Sequence, residues 1–141
     1  MAKFKVTTNS NELSKRFEKR VDVTEKDVLK LIHSAVDMVH SSVINGIQGP
    51  PKTGRTYGNH IASAKGEYPA TDTGVLVQNI SKELNRTKFE GKITSSAKYG
   101  VHLEYGTRDM NARPFMFPSL EKNRRKITQR FKDAKLLRKL S

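Results

Sequence analysis

Any chemistry in this 141-residue chain would have to come from few side chains, because it has four histidines and no cysteine. His33 and His40 stand seven residues apart in a segment of helical periodicity. Two turns separate them, too far to share a metal's first shell, and no carboxylate or histidine stands at HExxH spacing. Asp72-Thr73-Gly74 matches the aspartic-protease triplet, but it lacks apolar flanks and a second copy. One such chain supplies a two-carboxylate site only by dimerising. The simpler reading is that Asp72 or Thr73 caps a turn and Gly74 lets the backbone enter a strand. The run from Pro50 to Thr56 does not supply the GxxxxGK[ST] of a phosphate-binding loop, and no GxSxG elbow occurs. These absences leave an enzyme without a supporting constellation and imply no metal and no cofactor.

The richest cluster of unusual side chains is Tyr99–Pro118, YGVHLEYGTRDMNARPFMFP. Glu104 stands just before Gly106 and Thr107, where a carboxylate can accept from exposed backbone N–H groups or pair with Arg113. Such a pair would fasten a turn within one subunit or bridge two subunits. Arg113, Pro114 and Phe115 present a cation, a kink and an aromatic in succession. Phe115 and Phe117 alternate in an extended stretch, so one can anchor in the core while Met116 faces a neighbour. The plainer alternative buries both aromatics. Tyr99, Tyr105, Phe115 and Phe117 do not follow the strand pattern of a base-stacking RNA module. No zinc, helix-turn-helix or KH signature appears either.

Charge is the dominant bulk property, with 27 Lys and Arg against 14 acids for a net +13. From Arg108 to Ser141 eleven cations face three acids, a net +8. Arg124, Arg125, Lys126 and Arg130 therefore form a candidate basic face. It would serve DNA, an acidic protein surface, or solubility alone. No run of about 18 apolar residues is present to span a membrane. The amino-terminal residues lack the apolar core of a secretory signal. The absence of cysteine fits a reducing compartment.

The elements that must position these residues follow from periodicity. Leu13, Phe17 and Val21 suit a short amphipathic helix over 11–22, within an amino-terminal arm covering 1–23. Thr24 then resembles an N-cap, with Glu25 and Asp27 in the first turn. Val28, Leu31, Ile32, Ala35, Val39, Val43 and Ile47 form one apolar stripe of a long helix, ended by Gly46, Gly49, Pro50 and Pro51. Residues 49–74 have no periodicity and predict a long, flexible, extended loop that orders against a neighbour. Leu76, Ile80 and Leu84, then Phe89, Gly91, Ile93 and Ser95, predict a hairpin turning near Asn85–Lys88. Tyr99–Tyr105 fits either a third strand or a helical turn. Residues 111–118 are extended or turning because of Pro114 and Pro118. Leu120, Ile127, Phe131, Ala134 and Leu137 mark a carboxy-terminal helix starting near Pro118 or Ser119. The expected fold is one α+β domain over 1–141. A long N-terminal helix and a C-terminal helix pack on a small antiparallel β-sheet, beside a long extended loop.

Three segments in order, DTGVLVQNI, AKYGVHLEYGT and ARPFMFPSLE, resemble the head–tail joining or tail-completion family of siphophages. That family runs from a long helix to DTG-x-L-x-x-S-I, a β-hairpin, Y-A-x-x-V-E-x-G-T, A-R-P-F-hydrophobic-x-P-A-L and a closing helix. The loop before these segments is similar to the long version found in many phage and prophage members. The resemblance covers Val28 to the carboxy terminus. Departures are Asn79 for a frequent Ser, Gly100 for Ala and Leu103 for Val. The resemblance implies a virion neck subunit without a catalytic site, assembled in the host cytoplasm into a homo-oligomer, commonly a hexameric ring. Whether the free chain is a monomer stays open. Implied partners are a head-side adaptor or stopper protein, the tail tube protein, and DNA passing non-specifically through the lumen, with no membrane. Candidate interface residues on this view are Arg55, Tyr57, His60, Glu104, Tyr105, Thr107, Arg113, Phe115 and Met116. The runner-up is a basic DNA-binding module without catalysis.

Overall fold

The computed structural model describes residues 3–7 (backbone only), 25–71 and 73–134. The 11–22 helix, the Thr24 cap, Asp72 and Leu137 lie outside the described residues. The architecture is α+β, as expected. Strand β1 (Lys3–Thr7) precedes helix α1 (Glu25–Gln48), a two-stranded excursion β2 (Thr56–Tyr57) and β3 (His60–Ile61), and a helical turn α2 (Val75–Gln78). Strands β4 (Ile80–Asn85) and β5 (Glu90–Ser95), helix α3 (Gly100–Tyr105) and helix α4 (Met116–Asp133) complete it.

Helix α1 forms where the apolar stripe predicts it. Val28, Ile32, Ala35, Val36, Val39, Val43 and Ile47 are all buried along one face. Each of the large aliphatic side chains contributes about 1.5–3 kcal/mol on full burial. Glu25 and Asp27 sit in the first turn, where the helix dipole favours acids. Gly46 does not end this helix, contrary to expectation. It lies inside the last turns because the ring of Tyr68 rests on its bare Cα. A Cβ there would come within 2.7 Å of Tyr68 Cζ.

The main sheet is antiparallel with the order β1-β5-β4, so β5 is central. Its registers include Lys3↔Thr94 and Ile80↔Ser95. Gly91 and Ile93 on β5 are buried, and Gly91 brings α1 close: a Cβ would stand 3.2 Å from Ile32 Cγ2 and collide with Val36. The 86–89 turn closes with Lys88 N–H donating to Asn85 Oδ1 at 3.0 Å. The strand reading of 76–84 needs one correction. Val75–Gln78 is a helical turn capped by Gly74 in the left-handed region (φ 76°), and the strand begins at Ile80. Leu76 is buried by this turn.

Helix α4 packs beside α1 through Met116 and Phe131 and through a polar bridge. Buried Asn123 donates to Ser42 Oγ and to Ser119 O, both at 2.7 Å. The loop 49–74 carries more structure than its composition predicts. The pairs Thr56↔Ile61 and Tyr57↔His60 form a minimal hairpin. Gly54 N–H donates to Ala62 O and Ala62 N–H to Arg55 O, both at 2.9 Å, extending it. Two-residue strands leave no period for a sequence to display.

Candidate functional site

The Tyr99–Pro118 stretch folds into two helical pieces joined by a tight corner. Helix α3 resolves the strand-or-helix ambiguity as a helix, with Leu103 N–H donating to Tyr99 O at 3.1 Å and Gly106 N–H to His102 O at 2.8 Å. Gly106 ends it with φ 76° and ψ 176°, and a Cβ there would lie 2.9 Å from both Ala112 N and Met110 O. Only glycine fits that conformation without strain. Thr107 N–H then donates to Met110 O at 2.8 Å, turning the chain back toward α3. Arg113 N–H reaches Leu103 O at 2.7 Å and fixes the return.

This corner delivers Glu104 to the amino terminus of α4. Its Oε2 accepts from Phe115 N–H at 2.9 Å and Met116 N–H at 3.0 Å, and its Oε1 from Phe117 N–H at 2.9 Å. The next residue, Pro118, has no N–H to satisfy. Helix starts leave several such donors without intrahelical partners, and a carboxylate also complements the dipole there. Glu104 is buried, and both oxygens are engaged by backbone donors. It is a helix cap supplied from eleven residues upstream.

The anticipated Glu104–Arg113 pair does not form. Arg113 turns away, with Nε donating to Ser63 O at 3.0 Å and Nη1 to Asn111 O at 3.4 Å. It therefore fastens the 49–74 segment to the corner. A second fastening runs through Tyr68, whose hydroxyl lies 2.9 Å from Ser119 Oγ, while Ser119 donates to Phe115 O at 2.6 Å. A third is Gly66 N–H to Ala112 O at 3.3 Å. Within the segment, Glu67 accepts from Thr53 N–H at 3.1 Å, Ala64 N–H at 2.8 Å and the Thr53 hydroxyl. The hydroxyl bond, then the two backbone bonds, hold the Glu67 carboxyl below its usual pKa. Lys52 Nζ donates to Gly46 O at 2.8 Å, and burial pushes its pKa down.

The other candidate interface residues divide sharply. Phe115 and Met116 are 0% and 1% exposed, so they belong to the core and Met116 does not face a neighbour. The helix begins at Met116, which replaces strand alternation by helical spacing and turns Phe117 outward instead, 52% exposed. Tyr105 is 69% exposed, and Thr107 is also on the surface. Tyr57 is exposed with the Arg55 guanidinium 5.7 Å from its ring centre, and His60 is half-buried. His60, Val75, Tyr99, Leu103 and Arg113 line a cavity of about 260 Å³ between the small hairpin, α2 and α3. Val75 and Tyr99 are large apolar side chains left exposed at its rim.

On the basic face, Arg124, Arg125, Lys126 and Arg130 are all exposed. Two of them have partners: Arg124 pairs with Glu121 at 2.5 Å, and Arg130 bonds Ser34 Oγ. His33 Nδ1 lies 3.0 Å from Asp37 Oδ2, and Lys82 also pairs with Asp37. The Lys82 bond, with the neighbouring histidines, lowers the Asp37 pKa. Sequence reasoning missed Val36, the Gly46–Tyr68 contact and the Tyr68–Ser119–Asn123 polar line. The one available signal was Ser119 and Asn123 at i,i+4 on the face that also carries Met116. Among the described residues no helix is long and apolar enough to cross a membrane. No protein family, curated protein or solved structure matches the chain.

Proposed function

We propose that this chain is a non-enzymatic phage assembly subunit: a neck or tail-completion protein that forms a ring between the head-side connector and the tail tube. The observation that carries the reading is the convergence of the three segments that resemble that family. Gly74 of the first caps α2 at the rim of the cavity that Tyr99 and Leu103 of the second also line. Glu104 of the second caps the helix that begins in the third. Motifs far apart in the chain thus serve one junction. Val75 and Tyr99 stand exposed at that cavity, and Tyr57, Tyr105 and Phe117 are exposed as well, a set suited to contacts between subunits or with neck partners. The head-side adaptor or stopper and the tail tube protein are the partners, and DNA threads the ring.

The test is deletion of the gene from the phage or prophage that carries it. Filled heads and separate tails, rescued by supplying the chain in trans, are expected. Normal joined particles after deletion would sink the proposal. The DNA-binding alternative draws on the exposed cations of α4 alone, and it predicts a salt-sensitive gel shift with no assembly defect.

A further inference from the structure

We infer that the outward face of α4 is a binding stripe for the phosphate backbone of duplex DNA, read without sequence preference. Met116, Ser119, Asn123 and Phe131 bury the opposite side of this helix. At 100° per residue, Lys122, Arg125, Lys126, Gln129, Lys132 and Asp133 then fall within about a third of the circumference, facing solvent. The four cations span eleven residues, about 15 Å of helix. All four are exposed. Lys122, Arg125, Lys126 and Lys132 form no ion pair among the described residues. Of the acids of α4, Glu121 pairs with Arg124 beside the stripe, and Asp133 lies within it and accepts from Gln129 Nε2 at 2.8 Å, so the stripe keeps a clear positive excess.

The composition of the stripe selects the partner. A protein interface needs aromatic or aliphatic anchors at its centre. This face has none, since Leu120 and Ile127 are drawn to the core side and packed against it. A row of four cations with a single acid among them on a rigid helix instead matches a polyanion, and duplex DNA presents about nine charges over 15 Å of its axis. The stripe differs from the face expected at first, because Arg124 and Arg130 drop out and Lys122 and Lys132 enter. The inference rests on the neck reading only for naming duplex DNA as the polyanion at hand.

The experiment is fluorescence anisotropy of a labelled random-sequence duplex with the full chain, titrated from 50 to 200 mM salt. The variant Lys122→Gln/Arg125→Gln/Lys126→Gln is compared with Lys65→Gln/Lys88→Gln/Lys98→Gln, which removes equal charge from other exposed positions. The stripe variant should flatten the slope of log K against log salt by about 2–3, near 0.9 per lost phosphate contact. The control should change it by less than 1. Equal flattening by both variants overturns the inference, because bulk charge then accounts for the binding. So does a chain that fails to bind the duplex at 50 mM salt. Failure here alongside separate heads and tails in the deletion would leave the neck reading standing.

Discussion

Replacing Glu104 by Ala removes one side chain and strands three backbone donors at the start of α4. Phe115 N–H and Met116 N–H are buried, whereas Phe117 is 52% exposed and its N–H can turn to water. A bond from a buried donor to a charged acceptor contributes about 1.5–3 kcal/mol, and losing its acceptor exacts the desolvation cost as well. Counting the two buried donors fully and the third lightly, E104A should cost about 3–5 kcal/mol. That is a large share of the 5–15 kcal/mol typical of a domain. At roughly 3–4 °C per kcal/mol for a chain of this size, the midpoint should fall by about 9–20 °C. E104Q is more instructive. Its amide oxygen can keep Phe115 and Met116 while the NH₂ group faces the wetter Phe117 N–H, so the loss should be about 1–2 kcal/mol. Urea unfolding followed by far-UV circular dichroism separates the two. An E104A loss below 1 kcal/mol, or equal losses for both variants, would refute the capping argument.

Gly46→Ala gains up to about 1 kcal/mol of helix propensity but must expel the Tyr68 ring and break its bond to Ser119. Net destabilisation near 1 kcal/mol is expected, with faster hydrogen exchange confined to residues 52–68; a stabilised protein would contradict it. Glu67 has a lowered pKa when folded, so its hold on Thr53 and Ala64 is present above the ordinary carboxylate value near 4.3 and lost as pH falls through the lower folded value. Amide protection at Thr53 and Ala64 should drop below about pH 4 in the wild type and show no such step in Glu67→Gln. Phe117→Ser and Tyr105→Ser should change stability by less than about 0.5 kcal/mol yet abolish head–tail joining in the complementation assay. Normal particles from both would remove these residues from the assembly surface.

How much of this was legible in the sequence depended on the range of the interaction. The stripe from Val28 to Ile47 announced α1 because burial on one side of a helix repeats within the chain itself. The β4–β5 hairpin was legible for the same reason, apart from Val75–Gln78. There Val75, Leu76 and Val77 looked like strand residues, and the left-handed Gly74 started a helical turn instead. Glu104 could be picked out as a residue needing donors. Its choice between Arg113 and backbone N–H groups could not, because that depends on where α4 begins. A start at Met116 rather than at Ser119 places three free N–H groups under the carboxylate and sends Arg113 to Ser63.

The same one-turn difference decides the role of the aromatic pair. In an extended segment Phe115 and Phe117 share a face and Met116 opposes them, but at a helix start they part. Phe115 then fills the core beneath Gly100, whose missing Cβ would lie 3.8 Å from its ring and 2.8 Å from Ser95 Oγ. Phe117 is left at the surface two residues later. The cap therefore does more than stabilise a helix end. By fixing the first residue of α4 it sets the rotation of the whole helix. That rotation aims Asn123 at Ser42, and it leaves Lys122, Arg125 and Lys126 outward. Spacing within the chain supplied the amphipathic pattern of α4, whereas its rotation is fixed by a carboxylate on another element.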